Sequence, residues 1–307
     1  MRKWIRLVAA PAFALALALA AVGSNAADDD GKHLPYYVAM DPPIVYPGAI
    51  IRLQVRPPAG ATGGTVFVAG RRYIGQMEDG MFVAYFAVDI DTLPGPYDLY
   101  YDVGSRHGMR VVTVRARRMD EEGRGESSLS KEDSKMEELV RSHPRLVSLF
   151  NKTTLERYWN GAFQSPSNAR MTATFAMRKV SETSIGMPHT GVDLAASGDV
   201  VAANVGVVAL VAEGAGSRIV VIDHGLGLYT YYSGLGDVFV SEGEWLRRGT
   251  HIGRMPESRS ALHFGARLAG AQVDPVSLPG IALKVPELTG EKRAPKEEKD
   301  KTSDYDY

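Results

Sequence analysis

What most restricts the fold of this chain is punctuation. Short apolar runs are cut by turn residues at intervals of about ten, both from Tyr36 to Arg117 and again from Met171 onward. Ile50-Ile51-Arg52-Leu53-Gln54-Val55 alternates, glycines bound the run from Gly64 to Gly70, and Met81–Ile90, Tyr97–Val103 and Met109–Val114 continue the series. Asp79-Gly80 and Leu93-Pro94-Gly95-Pro96 are the turn signals between them. Runs this short and this regularly interrupted carry no helical stripe, so the expectation is strands.

For residues 34–117 that spacing predicts a small antiparallel β-sandwich, Ig-like in general shape. Nothing in it looks catalytic, and His33 and His107 read as ordinary surface residues. The second region, residues 163–283, repeats the pattern more tightly. Val200–Ala203, Gly206–Val211 and Leu246–Gly253 read as strands, and Arg218–His224 pairs with Leu228–Tyr232 across the turn Gly225-Leu226-Gly227. The fold class is therefore all-β: a β-sandwich module and a second antiparallel β domain that folds as its own unit.

Between the two, residues 118–162 shift to charge, Gly and Ser, and read as a solvated linker with a helical connector. Ser130-Lys131-Glu132-Asp133 caps a helix to about Ser142, Pro144 breaks it, and a second helical piece follows from Leu146. His143 beside that break reads as a loop residue. Residues 284–307 are rich in Glu, Lys, Pro and Asp and read as a disordered tail. Residues 1–27 have a basic start, a nearly pure Ala/Leu run and small residues at Ser24–Ala27, the pattern of a secretory signal peptide. The expected destination is the periplasm or cell wall, with membrane contact only through that segment if it is uncleaved.

Composition excludes several chemistries. The chain of 307 residues has no cysteine, so any metal is held by His and carboxylates. A net charge of -1 gives no general attraction to nucleic acid. The stretch with ligand chemistry is Pro188-His189-Thr190-Gly191-Val192-Asp193-Leu194. On a straight strand His189 and Asp193 would stand roughly 13 Å apart, and Pro188 and Gly191 argue against a helix. That leaves an extended segment that curls at Gly191, or a surface loop without function. Downstream, alternation in Ala261-Leu262-His263-Phe264-Gly265 sends Leu262 and Phe264 to one side of a strand and His263 to the other. His189, Asp193 and His263 make a three-ligand zinc set with a fourth position open to water.

The order of His189-x-x-x-Asp193, Asp223–Tyr232, Arg248-Gly249-x-x-Ile252-Gly253, Leu262-His263-Phe264 and Val273-Asp274-Pro275 resembles the lysostaphin-type (LytM-like) zinc endopeptidases. The match covers about Phe163 to Leu278, and the β-rich module and connector also resemble what precedes this domain in many exported members. The resemblance implies cleavage of peptide cross-links in peptidoglycan, Zn2+ as cofactor, and His189, Asp193 and His263 as its ligands. It also implies two catalytic imidazoles that this chain lacks. Ala261 stands where the family carries a base, and Gly234 where it carries a histidine that steadies the oxyanion. The substrate-shaping loop is shortened to Arg254–Ser260.

General acid–base help is worth ~10²–10⁴-fold and an oxyanion donor ~10²–10³-fold. The expectation is a weakly active or non-hydrolytic protein that binds peptidoglycan peptides or a cell-wall hydrolase partner and regulates wall remodelling. The alternative is a working endopeptidase in which Glu257 serves as base and Tyr231 or Tyr232 as oxyanion donor. His224 and His251, inside strand patterns, are expected to be packed and hydrogen-bonded.

Overall fold

The computed structural model describes residues 37–117, 138–180, 185–214 and 216–284. The expected signal peptide, His33, most of the charged linker and the expected tail lie outside the described residues. Strands dominate, as the sequence predicts.

Seven of them form the N-terminal lobe: β1 (Val38–Asp41), β2 (Ile50–Val55), β3 (Gly63–Val68), β4 (Arg71–Glu78), β5 (Met81–Ala87), β6 (Gly95–Val103) and β7 (Arg106–Val114). Alternation decides the faces: Leu53, Val55, Val66, Val68, Leu99 and Val103 are buried, while Phe67, Tyr100 and Met109 point outward. The strands run antiparallel in the order β1-β2-β5-β4-β3-β6-β7. They do not separate into the two sheets of a sandwich. β3 and β4 pair from Gly63↔Gln76 to Val68↔Arg71, closed by Ala69 and Gly70 at positive φ, so the ladder is continuous. A parallel bridge between Val45 and Val114 returns the last strand beside the segment after β1. The sheet is rolled around its own core.

The C-terminal lobe contains β8 (Met171–Ala173), β9 (Arg178–Val180), β10 (Ile185–Pro188), β11 (Gly191–Leu194), β12 (Asp199–Val201), β13 (Gly206–Gly214) and β14 (Ser217–Asp223). It continues with β15 (Leu228–Leu235), β16 (Asp237–Val238), β17 (Trp245–Leu246), β18 (His251–Arg254), β19 (Leu262–Leu268) and β20 (Ala271–Val273). The main sheet has the order β17-β13-β14-β15-β19-β11-β8, with β20 also beside β19. The single strand expected over Leu246–Gly253 is two: Gly249, at φ 85, turns the chain from β17 in the main sheet to β18 in the small sheet β12-β18-β16.

The central strands β15 and β19 are buried at every position, so both faces of this sheet are covered. Leu262, Phe264 and Tyr232 lie in the main core. Tyr229, Tyr231, Ile219 and Val221 lie on the other face against Val140, Leu146 and Phe150 of the connector. Residues 138–142 of that connector are helical, and helix α1 (Pro144–Phe150) follows at once. Pro144 occupies its first turn, where a missing N–H breaks no helical bond. The proline that ends one helix therefore begins the next.

Partly buried polar contacts link the two lobes. Asp89 accepts from Arg71 Nη2 at 3.0 Å and from the Gln272 amide at 3.2 Å, and Arg117 Nη2 meets Asp274 Oδ2 at 2.6 Å. At Gly48, a β-carbon would sit 2.2 Å from a ring carbon of Phe175, so only glycine admits that ring.

Candidate metal centre

Register builds the site. Asp193 of β11 pairs with His263 of β19, which pairs in turn with Ser233 of β15. Paired residues share a face, so Asp193, His263 and Ser233 form a row across three adjacent strands. His189 reaches the row from the segment between β10 and β11. Its backbone is pinned on both sides: its N–H donates to Met177 O at 2.8 Å, and its carbonyl accepts from the Ala176 N–H at 2.9 Å. Arg141 of the connector donates to the neighbouring Pro188 carbonyl.

The curl that brings His189 to Asp193 is not at Gly191. Gly191 is already the first residue of β11, and His189 and Thr190 form the link between β10 and β11. Glycine is needed there for space: a β-carbon would stand 2.4 Å from the Phe264 carbonyl and 2.9 Å from His263 Cε1. Gly265, opposite it, is covered by the ring of Tyr231, whose hydroxyl donates to Thr190 O at 3.1 Å. Tyr231 thus braces the link that carries His189.

Three atoms converge. His189 Nε2 lies 3.0 Å from His263 Nδ1 and 3.2 Å from Asp193 Oδ1, and the last two are 3.0 Å apart. All three residues are buried. His189 Nδ1 is 3.0 Å from the Thr174 carbonyl, which only accepts, so Nδ1 carries a proton and Nε2 is the atom turned to the cluster. Burial raises the pKa of Asp193, but hydrogen bonds and charge from His189 and then His263 outweigh it and hold the carboxyl well below the usual range. His263 Nε2 and Ser233 Oγ are buried with no hydrogen-bond partner among the described residues.

This donor set fits a zinc-type cation. It offers two imidazole nitrogens and one carboxylate oxygen, one atom per residue, all within 4.8 Å of one another. The Thr174 carbonyl fixes the tautomer that such an ion requires of His189.

The positions expected to do proton and charge work are arranged otherwise. Ala261 precedes β19, half-buried, with only a methyl group to offer. Gly234 is the extra residue of a β-bulge: Ser233 pairs with Ile219 and Leu235 with Arg218, and Gly234 lies between them at φ 97. Tyr232 is excluded as an oxyanion donor. It pairs with Phe264 on the opposite face, and its hydroxyl accepts from the Ala203 amide and from Thr230 Oγ1, both at 2.9 Å. Glu257 is exposed on the loop before β19. His224 is packed as expected, its nitrogens 2.7 Å from Val205 O and 2.8 Å from Thr230 Oγ1, with burial lowering its pKa to about 4. His251 is not packed; it is exposed and lies 3.3 Å from Asp199.

One contributor has no mark in the sequence. The Thr174 carbonyl is a backbone group, with no signature in residue type.

An all-β lobe presenting a buried His-Asp-His cluster defines a metallopeptidase-like domain. Residues 187–275 match the family model of peptidase family M23, so this part of the chain is an M23 (LytM-type) domain. A crystal structure described as a peptidase M23 from Pseudomonas aeruginosa is 19% identical, with a TM-score of 0.56 over 78% of this chain and 96% of that one. The likeness is one of fold, and it extends over both lobes. A zinc-containing peptidase from Vibrio cholerae is 13% identical over 72% of this chain and 79% of that one, with a TM-score of 0.34. A chain of the SpoIIQ-SpoIIIAH pore-forming complex is 21% identical over 44% of this chain and 98% of that one, with a TM-score of 0.33. No curated relative matches the chain.

Proposed function

We propose that the protein is an exported, cell-wall-associated zinc-binding protein that hydrolyses peptide cross-links weakly or not at all. In this reading it holds peptidoglycan peptides, or a hydrolase that cuts them, and so regulates wall remodelling. One observation carries the proposal: the ligand cluster is complete, while the adjacent positions 234 and 261 hold a bulge glycine and an alanine. The basic start and apolar run of residues 1–27 support export to the periplasm or wall.

His189, Asp193 and His263 would hold the ion, which when bound polarises a carbonyl or lowers the pKa of water. The rest of the chemistry falls to the chain's own groups. Thr174 and Tyr231 orient the ligand segment. Neither Ala261 nor Gly234 has a side-chain atom that takes or gives a proton. Loss of general acid–base help alone removes ~10²–10⁴-fold in rate.

The test is digestion of purified cell wall with and without zinc. Wild-type protein should leave cross-links intact, and Ala261→His should produce measurable zinc-dependent cleavage. Strong zinc-dependent cleavage by the wild type would overturn this reading. It would favour the second one, an active endopeptidase with Glu257 as base, which the exposure of Glu257 and the complete ligand cluster support.

A further inference from the structure

Each histidine of the cluster turns one ring nitrogen to the site, and the fate of the other nitrogen differs between them. For His189 it is settled by the Thr174 carbonyl. His263 turns Nδ1 to Asp193 and His189. Its Nε2 therefore carries a proton whenever Nδ1 gives its lone pair to a cation. That nitrogen is buried, and no group among the described residues is bonded to it.

Geometry narrows the acceptor to one strand. The ring presents one edge to β11, with Nδ1 3.0 Å from Asp193 Oδ1 and Cε1 2.9 Å from where a β-carbon on Gly191 would stand. The rest of the ring, Cδ2 and Nε2, lies on the side of β15, which runs along the other flank of β19. The Tyr231 ring of β15 is 5.7 Å from the His263 ring, centre to centre. On this face β15 carries three hydroxyls, those of Tyr229, Tyr231 and Ser233. Tyr229 donates to Lys152 O and Tyr231 to Thr190 O, both at 3.1 Å. Ser233 stands directly opposite His263, is fully buried, and its hydroxyl is bonded to nothing among the described residues. Opposite β-carbons of such a pair are ~4.5–5.5 Å apart, within reach of a histidine ring. A buried donor and a buried hydroxyl able to accept thus face each other, and each needs a partner.

We propose that Ser233 is a positioning residue of the metal centre. Its hydroxyl accepts the Nε2 proton of His263 and so keeps Nδ1 as the atom turned to the cation. Ser233 does for His263 what the Thr174 carbonyl does for His189. The inference rests on the zinc-binding reading above and adds a residue to it.

The test is zinc affinity, measured on the full chain by competition with a chromophoric chelator. Ser233→Ala should bind zinc ~10–100-fold more weakly than the wild type. Ser233→Thr and Ser233→Val add similar bulk and differ in the hydroxyl, so the threonine variant should bind zinc more tightly than the valine one. Thr230→Val removes a buried hydroxyl from the opposite face of β15, one 2.8 Å from His224. It should unfold more easily and still bind zinc as the wild type does. Nitrogen NMR of the zinc-loaded wild type should find His263 protonated at Nε2, and that proton should exchange with solvent faster in Ser233→Ala. Wild-type zinc affinity in Ser233→Ala, or equal affinity in the threonine and valine variants, overturns the assignment and leaves zinc binding standing. A loss in Thr230→Val as large as that in Ser233→Ala also overturns it, by showing the effect to be one of stability. If the wild type binds no zinc, this inference falls together with the reading beneath it.

Discussion

The two lobes are both built on one continuous antiparallel sheet, yet they treat polar residues in opposite ways. Along β3, β6 and β7 the N-terminal sheet buries one face and leaves the other to solvent, so Phe67 and Tyr100 are about half exposed and its histidine, His107, pairs with Asp102 at the surface. The C-terminal sheet is covered on both faces at β15 and β19, by the main core on one side and the connector on the other. His189, Asp193, His224, Thr230, Ser233 and His263 are buried there, whereas Arg106 is the one buried polar or charged residue among the described residues of the N-terminal sheet. A polar group buried between two layers must be bonded or bind something. The difference explains why one sheet supports ligand chemistry and the other reads as a spacer.

The sharpest way to break this comparison is metal analysis. Protein purified without chelator should carry about one zinc, His263→Ala should carry none, and His107→Ala should match the wild type. Equal zinc in the first two would remove the distinction between the lobes. Truncation of two phenylalanines comes next. Phe264→Ala, in the doubly covered sheet, should cost ~3–5 kcal/mol in denaturant unfolding, and Phe67→Ala, on the open face, within ~0.5 kcal/mol.

Acid provides a third contrast. Burial lowers the pKa of His224 from 6.5 to about 4, so the unfolded chain takes up its proton first. Stability from this group is complete above the unfolded value and lost as pH falls towards the folded one, by ~3 kcal/mol in all. His224→Gln should flatten that part of the pH–stability profile, as denaturant unfolding followed across that range will show. The smallest of the C-terminal effects concerns the bulge. Gly234→His should destabilise by ~1–3 kcal/mol, because φ 97 strains any side chain. Melting temperatures that do not fall would show the bulge to be adaptable.

Most of the fold was legible because strand period and turn residues are local signals. Leu262 and Phe264 alternate against His263 in the bare sequence, and the structure keeps them on opposite faces. What was not legible is non-local. β2 pairs with β5 and β3 with β6, and these pairings between distant stretches, which no short window specifies, help to join the seven strands into one sheet instead of the expected sandwich. Gly191 announced itself as a special position, but the reason is the approach of Phe264 and His263, more than seventy residues away in the chain. Tyr232 carried the right hydroxyl on the wrong face, a distinction set by pairing with β19.

The pairing of β11, β19 and β15 has a consequence for heredity. Side chains change face with every residue along a strand, so a slip of one position in β19 would turn His263 into the main core and bring Leu262 or Phe264 beside Asp193. Every ligand would still be present in the gene, and no cluster would form. A one-residue insertion or deletion in the turn between Ala269 and Gly270, or in the loop from Arg254 to Ser260, is thus as dangerous to this site as loss of a histidine. The information that specifies the cluster is held as much in the spacing of these strands as in the three residues that compose it.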